Sequence, residues 1–255
     1  MNFIISANTD IGTTKNTNQD SVSVKVLNTS QGKMVFAILC DGMGGLAKGE
    51  VASATVIHAF NRWVSEELPK LTTGPIDENA IKLQWEHIAK SQNVAIRNYG
   101  NQLGVKLGTT AVVMLLTQDK YFIMNVGDSR AYGMADALQV LTKDQTFVAR
   151  EVAMGNMTEE QAKTDPRRSV LLQCIGASEE VYPDFFVGEV IQNATYMLCS
   201  DGFRHEITEA EIFAKMQPNV LFNDTDMNTN TLELIELNKQ RNERDNISVV
   251  LVRTF

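Results

Sequence analysis

Histidine is scarce in this chain. Only three occur in 255 residues, and His58, His87 and His205 do not stand at spacings that build a zinc site. His58 and His87 fall inside helical patterns, where core or surface positions account for them. Cysteine is equally sparse: Cys40, Cys174 and Cys199 cannot all pair, and each lies in an apolar run. Reduced core thiols are expected, not a disulfide framework. Basic charge is in deficit, 23 Lys and Arg against 31 Asp and Glu, for a net charge of −8. Such a surface repels phosphate backbones, so no nucleic-acid partner is expected. No apolar stretch, Ala111–Leu116 included, approaches the roughly 18–20 residues of a membrane span, so no membrane partner is expected either. The opening Met-Asn-Phe-Ile-Ile-Ser has no basic region and too brief an apolar one for a signal peptide, and we expect a cytoplasmic protein. Repeats, low-complexity tracts and linkers are absent too. With 44% hydrophobic residues, one domain spanning 1–255 with a sizeable core is expected.

What is present begins with Val35–Cys40, six consecutive apolar residues that read as a buried strand, followed by Asp41-Gly-Met-Gly-Gly45. Around it, residues 2–8 predict a strand and Thr9–Asn18 a polar loop. Ser21–Leu27 alternates strictly, as a half-buried strand does. Asn28–Lys33 reads as a hairpin turn. Helical spacing predicts helices over Gly49–Leu68, stopped by Pro69, and over Asp77 to about Leu103. Strands follow at 108–117, 121–126, 130–133 and 138–141. Residues 145–180 have weaker patterns, with a cap at Thr158 and Gln161 three residues on, and read as an excursion from the core, a flap. Strands at 185–191 and 195–199, a turn at Ser200-Asp-Gly202, helices at 208–216 and about 228–243, and a last strand at 247–253 complete the chain. Strands come in hairpin-like pairs and long helices in pairs. That order favours an α+β sandwich of antiparallel sheets with helices outside over a doubly wound parallel sheet.

Asp20, Asp41, Asp128, Asp201 and Asp245 share one context: each stands between an apolar strand and a turn containing Gly, Asn or Ser. Two precede a strand and three follow one. Starts and ends alternate along the edge of an antiparallel sheet, so all five can meet at one rim. Clustered carboxylates must take up protons unless cations separate them. Oxygen-only ligands select hard ions such as Mg²⁺ or Mn²⁺, and two shared ions can activate water against a phosphoryl group. Asp is also a common turn former, and pattern alone leaves both readings open.

Competing motifs are weaker. Gly42-Met-Gly44-Gly45-Leu-Ala47 fits a dinucleotide fingerprint in outline, but Asp41 would face the pyrophosphate, and the acid-ended second strand expected about 20 residues on is missing. No Gly-Lys-Ser/Thr phosphate loop exists. Cys199 and Arg204 are separated by four residues, one short of a cysteine-phosphatase loop, and the strand setting predicts a buried thiol.

Taken together, Asn18-Gln-Asp20, Asp41–Gly45 with Gly49-Glu-Val-Ala-Ser53, Gly108-Thr-Thr-Ala111, Gly127-Asp-Ser-Arg130, Leu141-Thr-Lys-Asp144, Pro166-Arg-Arg168, Ser200-Asp-Gly202 and Asp245-Asn-Ile247 resemble the metal-dependent type 2C (PPM) serine/threonine protein phosphatases in their bacterial form. The resemblance covers nearly the whole chain. It implies two central antiparallel β-sheets flanked by pairs of antiparallel helices, an α-β-β-α sandwich. It implies Mn²⁺ or Mg²⁺ as cofactor, two core ions and a third position. Asp41 would bridge the two ions, Gly42 would bind one through its carbonyl, and Asp201 and Asp245 would hold the other with Asp20 nearby. Asp128 with Asp201 matches the third position. A water between the ions would hydrolyse phosphoserine or phosphothreonine directly, without a phosphoenzyme. Lys15 stands where the family has a phosphate-binding Arg, and loses the bidentate fork. Gln19 replaces an acid, Met43 the general-acid His of eukaryotic members, and Leu46 and Gln145 histidines usual in bacterial ones. Expected partners are phosphorylated proteins and an opposing eukaryotic-like Ser/Thr kinase, and the protein itself is expected to be a monomer. Two alternatives stay open: a phosphopeptide-binding or regulatory module of the same fold with weak catalysis, and a narrow phosphatase of an anti-sigma antagonist.

Overall fold

Two central strands of the protein are apolar without alternation because each is covered on both faces. The computed structural model describes residues 1–43 and 48–255. Its strands are β1 (Phe3–Asp10), β2 (Ser21–Thr29), β3 (Gly32–Cys40), β4 (Ala111–Leu116), β5 (Lys120–Val126), β6 (Arg130–Met134), β7 (Leu138–Val140), β8 (Asp184–Glu189), β9 (Thr195–Cys199) and β10 (Ile247–Thr254). They form two five-stranded sheets, β1-β10-β9-β6-β7 and β2-β3-β4-β5-β8, with every pairing antiparallel. Along β3, Val35, Ala37 and Leu39 point into the layer between the sheets, where they meet Val112, Met114, Leu198, Val250 and Val252. Phe36, Ile38 and Cys40 point the other way, into a second core with Phe60, Trp63 and Trp85. A period of two on a strand buried on both faces gives a continuous apolar run.

Helices form the outer layers. α1 (Gly49–Glu66), the short α2 (Leu68–Leu71) and α3 (Glu78–Leu103) cover the β3 sheet. α4 (Phe147–Ala153) and α5 (Glu159–Thr164) lie in the excursion. α6 (Asp201–Arg204), α7 (Glu209–Met216) and α8 (Asp224–Gln240) cover the other sheet, with Phe203, Ile212, Met216, Met227 and Leu234 packed on Met197, Val249 and Leu251. The α+β sandwich of antiparallel sheets and outer helices is the architecture expected from the sequence.

The local signals act as their chemistry dictates. Asp77 caps α3 by accepting from the Asn79 N–H at 2.9 Å. Thr158 and Gln161 close a capping box on α5, and Thr208 and Glu211 close another on α7. The ends of the excursion pair with each other, Phe147 N–H donating to the Val170 carbonyl and Leu172 N–H to the Gln145 carbonyl, and are tied to the sheet rim where Gln145 N–H donates to the Gly127 carbonyl and Ile175 pairs with Thr109. Several expected boundaries differ. β2 and β3 run on to Thr29 and Gly32, leaving a two-residue turn in place of a loop over 28–33. Pro69 does not stop α1, which ends at Glu66; it sits in the first turn of α2, where its missing N–H costs nothing. α8 begins at Asp224, four residues earlier than predicted, because Asn223 caps it.

Phe36 lies against three aromatic rings, those of Phe60, Trp63 and Trp85, at centroid distances of 6.4, 6.1 and 6.3 Å. Phe36→Ala is expected to destabilise the protein by about 3–5 kcal/mol in urea unfolding, and a loss below about 1 kcal/mol would contradict this packing.

Candidate active site

The register of the sheets brings the five aspartates to one end of the sandwich. Ser21 pairs with Cys40, so Asp20 and Asp41 lie side by side just beyond the β2–β3 ladder. Val112 pairs with Leu39 and Ala111 with Val126, which carries Asp128 past the same end of that sheet. In the other sheet Val249 pairs with Cys199, leaving Asp201 after β9 and Asp245 before β10. Asp41 is held from below: its N–H donates to the Thr110 hydroxyl at 3.0 Å, and its carbonyl accepts from the Thr110 N–H and the Thr109 hydroxyl at 2.9 Å each. Two glycines are required for the close approach of these segments. A Cβ at Gly42 would lie 2.4 Å from the Gln19 carbonyl oxygen, and one at Gly202 would lie 2.2 Å from that of Asn246.

The electrostatics show that the five share one space. Burial, then the charges of Asp20, Asp201, Asp128 and Asp245, push the Asp41 carboxyl well above its usual range. Burial raises Asp20 to about 7; the Ser248 and Ser200 hydroxyls offset part of this, and the charges of Asp201 and Asp245 add to it. Asp128 is likewise raised to about 7 by burial and Asp201, against relief from Arg204 and His205. Both carboxylate oxygens of Asp20 and Oδ1 of Asp201 are buried without a well-formed hydrogen bond. Such a set fits a hard divalent cation, since it offers oxygen donors only and carries charge that burial alone cannot tolerate. Among the described residues, however, no group of three or more His, Cys, Asp or Glu side chains is arranged to hold a metal ion. The carboxylates share a field without closing a cage.

Lys15 reaches this field from the loop before Asp20. Its ammonium lies 2.9 Å from Asp245 Oδ1. Burial alone would lower its pKa, but the Asp245 contact and the charges of Asp41 and Asp201 leave it raised. Gln19 donates to Glu50 Oε2 at 3.2 Å, and its carbonyl accepts from the Ser53 hydroxyl at 2.7 Å. Met43 donates its N–H to the Gly108 carbonyl at 3.0 Å. Gln145 accepts from the Gly127 N–H at 2.8 Å and donates to Asp184 at 2.9 Å, locking the turn that carries Asp128. Gly44, Gly45, Leu46 and Ala47 lie outside the described residues, so the later part of the glycine motif and the Leu46 replacement do too.

The tasks of four residues, Asn246, Arg204, His205 and Glu243, escaped sequence reasoning. Asn246 donates to the Ile11 carbonyl at 2.9 Å and accepts from the Gln19 N–H at 2.9 Å, stapling the Lys15 loop to the Asp245 turn. Arg204 donates to the Asp128 carbonyl at 2.9 Å and to Asp144 at 3.3 Å, while Arg130 grips Asp144 with two bonds of 2.8 Å. His205 and Glu243 lie behind Asp201 and Asp245. The expected turn at Ser200-Asp-Gly202 is the start of α6, and only that helical spacing puts His205 on the Asp201 face. Competing chemistries find no support in the geometry. Cys199 is fully buried, and burial pushes its thiol up to about 12, which suppresses the thiolate a nucleophile needs. The antiparallel pairing of β3 with β4 lacks the parallel βαβ unit of a dinucleotide site. His58 and His87 are exposed on α1 and α3.

Comparison with known proteins agrees with this architecture. Residues 12–234 match the family model described as protein phosphatase 2C. The serine/threonine phosphatase stp of Listeria innocua is 31% identical over 208 residues, 80% of this chain and 79% of that protein. The serine/threonine phosphatase structure from S. agalactiae superposes with a TM-score of 0.83 at 27% identity, covering all of both chains. The catalytic domain of the phosphatase PstP, in complex with two manganese ions, does so with a TM-score of 0.77 at 26% identity, covering 99% of each. With its motifs in order and the match spanning most of its length, the chain belongs to the protein phosphatase 2C family of phosphoprotein hydrolases.

Proposed function

We propose that the protein is a Mn²⁺- or Mg²⁺-dependent protein serine/threonine phosphatase in which the whole chain acts as one catalytic domain. The observation that carries this reading is the buried carboxyl of Asp41, in the field of four other aspartates at the common end of two sheets. In this reading Asp41, the Gly42 carbonyl, Asp20, Asp201 and Asp245 hold two divalent ions, and Asp128 with Asp201 lines a third position. Bound there, the ions would supply Lewis acidity and a water made nucleophilic at neutral pH. The Asp41 backbone is fixed on both sides by Thr109 and Thr110, which would set the place from which its carboxylate holds the ions. Lys15, paired here with Asp245, would give up that contact to a substrate oxygen and neutralise the incoming phosphate as a point charge. Met43 has no proton to give, so protonation of the leaving serine or threonine oxygen falls to water. Residues 145–180, tethered at the rim, would border the bound phosphoprotein.

One observation favours a second reading. Lys15 is engaged with Asp245, which suits a module that binds phosphopeptide and turns it over poorly.

Phosphate release from a phosphoserine or phosphothreonine peptide is expected with Mn²⁺ and is expected to stop on chelation. Equal rates with and without chelator would defeat the metal-dependent reading, and tight peptide binding without release would select the second. Asp41→Ala is expected to lower turnover by about 100-fold or more, the loss implied by several kcal/mol of transition-state stabilisation; near-normal rates at saturating Mn²⁺ would refute its role. Lys15→Arg restores a bidentate fork and is expected to lower KM by roughly fivefold, for about 1 kcal/mol from one added hydrogen bond. An unchanged or higher KM would remove Lys15 from the phosphate site.

A further inference from the structure

Asp201 and Asp245 reach the site from elements that are weak by themselves. α6 has four residues, too few to be stable as an isolated helix. Asp245 stands in a short turn between α8 and β10. Behind them the structure builds one continuous connection. His205, one turn along from Asp201, places Nε2 3.5 Å from Asp201 Oδ2. Its other nitrogen, Nδ1, lies 3.5 Å from Glu243 Oε2. The second oxygen of Glu243 accepts from the backbone N–H groups of Arg244 at 2.6 Å and Asp245 at 2.8 Å. The Glu243 side chain is only 6% exposed, so these contacts are poorly replaced by water. The Glu243 carbonyl accepts from the Thr13 hydroxyl at 3.0 Å, which ties in the loop that carries Lys15.

We propose that His205 and Glu243 form a strut that sets the position of Asp201 relative to Asp245, and so tunes divalent-cation affinity from behind the site. Both are positioning residues. Without the imidazole, the Asp201 and Glu243 carboxylates would face one another with nothing of opposite polarity between them, and the Asp201 side chain would lose its support although Phe203 still anchors α6 in the core. Without Glu243, the Asp245 turn would lose the acceptor for two of its N–H groups. Groups that support metal ligands in this way typically change affinity by about 10–100-fold when removed. The proposal rests on the metal-dependent reading above.

The test titrates purified, metal-free protein with Mn²⁺ and follows free Mn²⁺ by electron paramagnetic resonance. The wild-type chain is compared with His205→Ala, Glu243→Ala, Glu243→Gln and the double variant His205→Ala/Glu243→Gln. Thermal midpoints are measured on the same metal-free samples. His205→Ala is expected to weaken at least one Mn²⁺ site by about tenfold or more, while the metal-free midpoint moves little. Glu243→Gln keeps an oxygen for the Arg244 and Asp245 N–H groups and is expected to retain more affinity than Glu243→Ala. Because the two residues act as one unit, the double variant should bind no worse than the weaker single. Wild-type Mn²⁺ affinity in folded His205→Ala, or additive losses in the double variant, would overturn the strut alone. Failure of the wild-type chain to bind Mn²⁺ would overturn the metal reading and the strut with it. Should His205→Ala not fold, His205→Leu, which fills the space without a donor, replaces it: a loss of about tenfold in Mn²⁺ affinity supports the strut, and wild-type affinity would overturn it.

Discussion

Like charges forced together out of water are the constraint on which the structure turns. Asp41, at the end of a packed sandwich, carries the repulsion of Asp20, Asp128, Asp201 and Asp245 on top of its own burial. A cluster of this kind opposes folding, because each carboxylate loses hydration and gains a repulsive neighbour. The protein tolerates it through rigidity. Strands buried on both faces deliver the strand ends, glycines at 42 and 202 let backbones nearly touch, and threonine hydroxyls fix the Asp41 peptide. Cations would convert the strain into binding energy, which is why the phosphatase reading and the stability of the rim are one question.

The cluster is also surrounded by compensating polar groups. Arg130 and Arg204 converge on Asp144, and Arg204 reaches from there to the carbonyl of Asp128. Lys15 faces Asp245 from the opposite loop. At two of the positions where the chain departs from the usual family residues, Gln145 and Gln19, the side chain has a definite task. Gln145 clamps the Gly127 N–H and Asp184, holding the turn before Asp128 by two hydrogen bonds. Gln19 uses its amide to hold Glu50 at the start of α1, and its carbonyl to hold Ser53. Neither replacement leaves a hole in the frame.

Much of the frame is legible in the sequence, for a physical reason. A strand buried on both faces must be apolar throughout, so Val35–Cys40 declares itself, and an aspartate that ends such a run is conspicuous. The cap at Thr158 is legible because its chemistry acts within three residues. The four-residue α6 looks like a turn in the sequence, since one helical turn gives no periodicity to detect. His205 and Glu243 are 38 positions apart and meet only after β10 has paired with β9. Asn246 likewise contacts Ile11 across the length of the chain. Contacts that depend on topology leave no local mark, and these are the ones that aim the site residues.

The central claim is that divalent cations sit among these aspartates. A crystal of the metal-free protein soaked in Mn²⁺, with diffraction recorded at the manganese edge, tests it most directly. The account predicts anomalous peaks between Asp41 and the pair Asp201 and Asp245, with Asp20 and Asp201 oxygens turned onto them. A map with no anomalous density at that rim, from crystals saturated with Mn²⁺, would contradict it.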